Sequence, residues 1–385
     1  MNVTANREEL LSAAQDAERI APAHSPMDVL QCAYLATENG KLTVASGNLE
    51  VAFERRIPVE IREEGRAVIN ASMLSSMLKL LDGDSVEVKT EGDKAVSVSG
   101  GKAAYNIAVL DADAYPRLEI PFPEDTVPVT GIPAMAKRTV FAVSEDEAKP
   151  QMKCVHLIFS ADGLHAVGSD GYRIASAKGD CKASGSADML LPAGSLEKLA
   201  RLVTNRDELR VGKTGKTMVF LKDDFIFSAR LIEGDYFNAD ELMSRVKPVF
   251  TVLTDAELLR QTLSAAFTVT GKQNRFSVTF EGSRLRMHCE SELGASSAEM
   301  DVVPLSGTPT GEYWFSPGKL MECLKAQGGT LMLEIAQNGA LIMRTDELVC
   351  MQLALREPKP IERKQREIGP KVRKKKTEAA LPKAA

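Results

Sequence analysis

Apolar positions recur along this chain with a helical period in some segments and a strand period in others, and the whole arrangement repeats three times. Leu74, Met77, Leu78 and Leu81 stand at i, i+3, i+4 and i+7, which predicts a helix with one buried face. Leu196, Leu199, Ala200 and Val203 keep the same spacing, and Leu320, Cys323 and Leu324 carry a third copy. These stripes begin 122 and 124 residues apart. Their lead-ins correspond: Ile69-Asn70, Leu191-Pro192 and Phe315-Ser316, with Pro317 at a plausible first helical position. An earlier helix repeats as well. Asn6, Thr130 and Thr254 lie 124 apart, each of a type favoured at a helix N-cap. Leu11, Met135 and Leu259 follow on the apolar faces, and Glu9 and Glu257 complete two possible capping boxes.

Around these helices the pattern is short strands, at 42–45, 86–88, 95–98, 218–221, 225–229, 277–280 and 331–335. Turn signals separate them, among them Asp162-Gly163, Gly282-Ser283 and Asn338-Gly339. A period near 120 residues is too long for a solenoid repeat. It is long enough for a domain with its own core. The expected fold is α+β: three repeated domains, each with two helices packed on mainly antiparallel sheet. Their expected bounds are 1–126, 127–248 and 249–356, with Pro-rich stretches at the first two ends. Residues 357–385 are rich in Lys, Glu, Pro and Ala, which predicts a disordered basic tail.

Charge sharpens this division. The tail carries ten Lys/Arg and four Asp/Glu, a net of +6. Taking these from the chain's 48 basic and 53 acidic residues leaves 38 and 49, a net of −11 for the remaining 356. Such a body binds nucleic acid only through a local basic surface. No apolar run approaches the ~18 residues of a transmembrane helix. The first residues lack a signal-peptide core. The six scattered cysteines, with no C-x-x-C pair, read as reduced thiols. A cytoplasmic protein without membrane contact is expected.

Candidate catalytic motifs fail on inspection. The run 212–217 (Gly-Lys-Thr-Gly-Lys-Thr) suggests a phosphate loop, but Arg210 stands where the first glycine belongs and a strand follows instead of a helix. A hairpin turn is the better reading. His165, Ser169 and Asp170 lie around an Asp-Gly turn with no nucleophile elbow. His24, His156, His165 and His288 have no metal-ligand spacing, and His156 alternates with apolar strand residues. No metal, cofactor or catalytic residue is expected. Basic residues on the helices are more suggestive. Lys198 and Arg201 flank the second helix of the middle repeat, off its apolar face. Lys79 corresponds in the first repeat, and Lys319 and Lys325 in the third. Lys137, Arg138 and Arg260 lie on the first helices. Ordinary solvated helix surface and a recurring cationic face remain alternatives.

The segment 168–175 (Gly-Ser-Asp-Gly-Tyr-Arg-Ile-Ala) resembles the T-D-G-H-R-L stretch of the bacterial DNA polymerase III beta subunit family, the sliding clamps. Asp224-Phe225-Ile226-Phe227 through Leu231-Ile232-Glu233-Gly234-Asp235-Tyr236 is similar to that family's D-F-x-F…L-[IV]-[DE]-G-x-[FY] segment, and Ala114-Tyr115-Pro116 to the end of its first domain. The resemblance covers about residues 1–356. It implies a head-to-tail homodimer whose six domains close a ring around duplex DNA. Lys79, Lys137, Arg138, Lys198, Arg201, Arg260, Lys319, Lys325 and His24 would then face phosphate, positioning without reading sequence.

The resemblance also implies a peptide pocket between the second and third domains, formed by Ser169, Gly171, Tyr172, Arg173, Ile174, Leu242, Val349, Met351 and Leu353, with Tyr172 and Arg173 at its rim. Its users would be the polymerase III alpha subunit, the clamp loader and other replication and repair proteins carrying a clamp-binding motif. The chain departs from the family there. The run 351–354 is Met-Gln-Leu-Ala where M-P-[MVI]-R is usual; Phe237 replaces a Pro, Cys154 a Leu and Gln151 an Arg. An altered peptide preference follows. The implied function is a non-catalytic processivity clamp. The alternatives are a clamp-fold peptide scaffold that does not encircle DNA, or a nucleotide-binding or hydrolytic enzyme. The tail lies beyond the family's usual end. It reads either as a solvated extension or as a basic arm reaching phosphates or an acidic partner.

Overall fold

A computed structural model describes residues 1–361, except 93, 117–119, 121, 180–186 and 273. The basic run 371–376 and nearly all of the tail lie outside the described residues. The first repeat runs β1 (Asn2–Asn6), α1 (Arg7–Ile20), β2 (Cys32–Glu38), β3 (Lys41–Gly47), β4 (Val51–Glu63), β5 (Arg66–Asn70), α2 (Ala71–Leu80), β6 (Ser85–Glu91), β7 (Ala95–Gly100) and β8 (Ala103–Ala108). The second follows the same order: β9 (Val127–Val129), α3 (Ile132–Thr139), β10 (Cys154–Ser160), β11 (Gly163–Ser169), β12 (Arg173–Gly179), β13 (Ala187–Pro192), α4 (Ala193–Ala200), β14 (Leu209–Thr214), β15 (Thr217–Lys222) and β16 (Phe225–Arg230). A short helix, α5 (Ala239–Ser244), leads to the third repeat. That repeat comprises β17 (Pro248–Asp255), α6 (Ala256–Ala266), β18 (Asn274–Glu281), β19 (Arg284–Ser291), β20 (Gly294–Asp301), β21 (Val303–Ser306), β22 (Thr310–Trp314), α7 (Pro317–Lys325), β23 (Thr330–Ala336), β24 (Leu341–Arg344) and β25 (Leu348–Gln352). β20 and β21 together correspond to the long β4, since β21 pairs with β17 as the second half of β4 pairs with β1.

The predicted stripes bury as expected. Leu74, Leu78, Leu196, Leu199, Leu320, Cys323 and Leu324 are closed off from solvent, while Val203 and Ala200 are half-buried. Helices pack in pairs, α1 on α2, α3 on α4 and α6 on α7, against one face of the sheets. The caps agree only in part. Asn6 accepts from the backbone N–H of Glu8 and Glu9 at 3.0 and 3.1 Å. Thr130 caps nothing: Gly131 occupies the cap position at φ +75, and Asn205, beyond α4, accepts from Ala134 N at 2.9 Å. A cap supplied from a distant loop leaves no local sequence signal. Thr254 is also displaced, because it still belongs to β17. Asp255 caps α6 through Leu258 N at 2.9 Å, and Glu257 pairs with Arg260 rather than closing a box. In the first helix Leu10, not Leu11, points to the centre of the core.

Sheet pairing joins the repeats into one body. In each repeat the strands after the second helix (β6–β8, β14–β16, β23–β25) form an antiparallel meander. The last strand of that meander then pairs with the preceding repeat. β16 pairs with β4, from Phe225↔Arg55 to Ala229↔Val51. β25 pairs with β12, from Arg173↔Gln352 to Ala177↔Leu348. By the same rule β8 and β20 are left over. Among the described strands β8 pairs only with β7, and β20 only with β19. Each edge alternates half-buried residues (Tyr105 and Ile107; Ser296 and Ala298) with exposed ones.

Candidate functional site: an apolar pocket at one junction and cations on the paired helices

Where β12 meets β25, the turn entering β12 is built by its own side chains. Asp170 Oδ1 accepts from Tyr172 N at 2.9 Å and from Arg173 N at 3.0 Å. Ser169 Oγ accepts from Gly171 N at 3.1 Å and donates to the Arg173 carbonyl at 2.8 Å. Gly171 sits at φ +85, where a side chain would be strained. The turn leaves Tyr172 61% exposed and buries Ser169, Arg173 and Ile174. Tyr172's carbonyl accepts from Leu353 N at 2.9 Å, which carries the chain just past β25 to the same spot.

These residues wall a cavity of about 170 Å³. Ser169, Gly171, Tyr172, Arg173, Ile174, Leu242, Met351 and Leu353 all line it. Met152 and Phe237 join them. Met152 carries no signal in the chain's pattern, whereas Phe237 stands where the resembled family usually has Pro. Val349 does not line the cavity; it packs beneath, against the buried cluster of Val167, Ile174, Ile342 and Met351. Cys154 is buried with its Sγ 3.4 Å from the Pro150 carbonyl, and burial raises its thiol pKa to about 11. α5 supplies Leu242 and is held by Asn238, whose side chain accepts from Glu241 N at 3.0 Å.

Arg173 was expected at the rim, and the structure corrects this. Its guanidinium is buried and ties the middle repeat to α7. It lies 2.5 Å from Glu322 and 3.3 Å from Asp170, donates to the carbonyls of Lys319 (3.3 Å) and Phe141, and stacks over the Phe141 ring at 5.3 Å. A buried guanidinium needs this full set of acceptors. Lys319 joins the same network: it pairs with Asp170 and lies 5.6 Å from the Tyr172 ring centre. It is therefore turned toward the pocket wall.

The same turn recurs at the first junction, and there the pocket is shut. Asn48 accepts from Glu50 N and Val51 N at 3.2 and 2.9 Å, and Leu49 takes φ +72 where the other turn has Gly171. Buried Tyr115, 5.3 Å from Tyr34 between ring centres, fills the equivalent space and leaves about 10 Å³. That is room for about one water.

On the paired helices the structure separates the expected cations into two groups. His24, Lys79, Lys137, Arg201 and Lys325 are exposed, with no ion pair among the described residues. Arg138 pairs with Glu347, and Arg260 with Glu257 at 2.5 Å. Lys198 departs from the expectation of a solvent-facing residue. It is half-buried between the first and second repeats, donates to the Ile20 carbonyl at 3.2 Å, and burial lowers its pKa. That carbonyl ends α1, where a cation is favoured by the helix dipole.

The suspected enzyme motifs have structural work. Thr214 pairs with Thr217 across a hairpin with Gly215 at φ +57, so no helix N-terminus stands there for phosphate. His165 Nε2 lies 2.5 Å from Ser176 Oγ, while Ser169 serves the turn. Among the described residues no cluster of His, Cys, Asp and Glu could hold a metal ion, and no helix is long and apolar enough to cross a membrane.

These features define a class: an α+β protein of three repeats, with sheet edges left open among the described strands and an apolar pocket at one repeat junction. The comparisons with known proteins narrow it. The family model for the DNA polymerase III beta subunit, N-terminal domain, matches residues 1–119, and that for its central domain matches 126–238. The beta sliding clamp of Synechococcus elongatus is 24% identical over 343 residues, covering 86% of this chain and 91% of the relative. That of Streptomyces coelicolor is 25% identical over 335 residues, covering 85% and 88%. The crystal structure of the Bacillus subtilis DNA polymerase sliding clamp superposes with a TM-score of 0.85 at 20% identity, covering 92% of this chain and 99% of that one. A Pseudomonas aeruginosa sliding clamp bound to griselimycin gives 0.84, also at 20% identity, with the same coverage. The chain belongs to the DNA polymerase III beta subunit family.

Proposed function

We propose that this protein is a DNA sliding clamp: a non-catalytic, cytoplasmic ring that encircles duplex DNA and confers processivity on a replicative polymerase. The observation that carries the reading is the pairing rule. Two of three repeat junctions are made by the last strand of one repeat adding to the β4-type strand of the repeat before it. The strands that would make the third junction, β8 and β20, lie in the first and third repeats with free edges among the described strands. Joining β8 of one copy to β20 of another repeats the same contact. A heterologous contact of this kind forms a ring if its rotation closes. Two copies give six repeats. The paired helices would line the inside, with Lys79, Lys137, Arg201 and Lys325 toward phosphate and Arg138 and Arg260 available by exchanging weak surface partners. Lys198 and Lys319 are better explained as junction residues.

The division at 1–126, 127–248 and 249–356 is part of this proposal. So is the pocket's role in receiving peptides from the polymerase III alpha subunit, the clamp loader and other replication or repair proteins. A clamp tethers its polymerase by topology, so rebinding occurs at high local concentration. The test is to load the protein onto nicked circular DNA and then linearise it. Retention on the circle and rapid loss from the linear form is the expected result. Equal retention on both would favour a scaffold that binds without encircling.

A further inference from the structure

We propose that the chain's own C-terminal segment, Ile368 and Val372 with the basic run 373–376 behind them, docks in the apolar pocket and competes with partner peptides. This rests on the peptide role proposed for the pocket. The first support is where the chain leaves the fold. Leu353 lines the cavity, Leu355 bridges to Trp314, and the Glu357 carboxylate accepts from Arg275 at 3.1 Å. The remaining residues therefore leave the third repeat eight residues past cavity-lining Leu353. Ile368 follows Leu353 by fifteen residues, a span of up to about 50 Å at ~3.3–3.6 Å per residue.

The second support is chemical fit. The groove offers Met152, Phe237, Leu242, Met351 and Leu353, while its polar floor, Ser169 and Arg173, is already committed to the turn and to α7. It therefore selects apolar side chains. Ile368 and Val372 are two of the three large apolar residues between 362 and 385. The third support, a lesser one, is charge. Exposed Asp235, Asp240 and Glu241 stand on α5 and its lead-in; Glu241 pairs with Arg245, and Lys247 follows, which leaves Asp235 and Asp240 as the acidic side. Arg373, Lys374, Lys375 and Lys376 would meet that acidic side. A tethered segment competes at an effective concentration of order mM, so even a weak contact occludes the site for part of the time.

The full-length chain supplies the test. A photocrosslinking p-benzoylphenylalanine placed at position 368 should attach to Met351, Met152 or Leu242, identified by mass spectrometry. Fluorescein-labelled griselimycin, with Leu353→Glu as the control for pocket binding, should bind a chain carrying Ile368→Ser and Val372→Ser roughly 3–10-fold more tightly than wild type. All basic residues remain in that variant, so charge alone cannot produce the change. Equal griselimycin affinity with crosslinks elsewhere would overturn the proposal and leave the pocket reading intact. Loss of DNA association when 373–376 are neutralised would then assign the tail to phosphate. Failure of griselimycin to bind either chain, together with no crosslink from position 368 to the pocket wall, would sink the pocket reading and this proposal with it.

Discussion

Single residues carry the pocket's geometry through a buried ion network, and their removal should be felt at a distance. Asp170 holds the 169–173 turn through two backbone N–H groups while neutralising Arg173 and Lys319. Asp170→Ala should cost about 3 kcal/mol, because it strips a buried guanidinium of one counter-charge. Urea denaturation checks the stability, and the same variant should lose pocket affinity although Asp170 itself does not line the cavity. A second prediction concerns His156 and His165. Burial holds both imidazoles below their ordinary pKa; Asp188 and Asp240 oppose the shift, while Lys178 and the neighbouring His156 reinforce it at His165. The unfolded chain then binds more protons below about pH 6.5, so stability is full above that pH and falls as pH drops. His165→Gln should flatten the loss of melting temperature between about pH 7 and 5. An unchanged slope would mean the ring is not neutral in the folded state.

At the scale of elements, the open edges β8 and β20 dominate. An unpaired edge invites another strand, and natural proteins blunt or cover such edges. Here β8 presents Tyr105 and Ile107 half-buried at the end of a sheet, which suits continuation of the sheet by a second copy. Ile107→Lys should shift the mass in sedimentation from twice 41.7 kDa toward 41.7 kDa, with circular dichroism unchanged. A wild-type protein that is strictly monomeric at micromolar concentration would contradict the ring.

For the whole molecule, the proposed ring would leave the exposed helix cations, on an otherwise acidic body, to meet DNA phosphate. Lys79→Glu, Lys137→Glu, Arg201→Glu and Lys325→Glu together should weaken retention on circular DNA. They should also make the salt dependence shallower, by about 0.9 in log–log slope for each phosphate no longer neutralised. Lys198→Glu should instead lower stability, since it breaks the hydrogen bond to the end of α1 that holds two repeats together. Retention that is insensitive to the four exposed changes at every salt concentration would remove the helix face from the DNA path.

Sequence by itself determined the threefold repeat, the two helical stripes of each copy and the strand pattern, because apolar periodicity is a local property that burial must obey. Most of the pocket's lining is named only through the family resemblance at 168–175, although the turn 169–173 that shapes it is built from neighbouring side chains. Tertiary structure decided what neighbours in space contribute. Asn205 caps a helix 71 residues away, Phe237 and Met152 complete the pocket wall, and Arg173 turns inward because Glu322 and the Lys319 carbonyl await it on α7. Lys198 and Lys319 read as surface cations in sequence, yet the fold brings a helix end to one and Asp170 to the other. Partners that lie far apart in the chain have no periodicity to announce them.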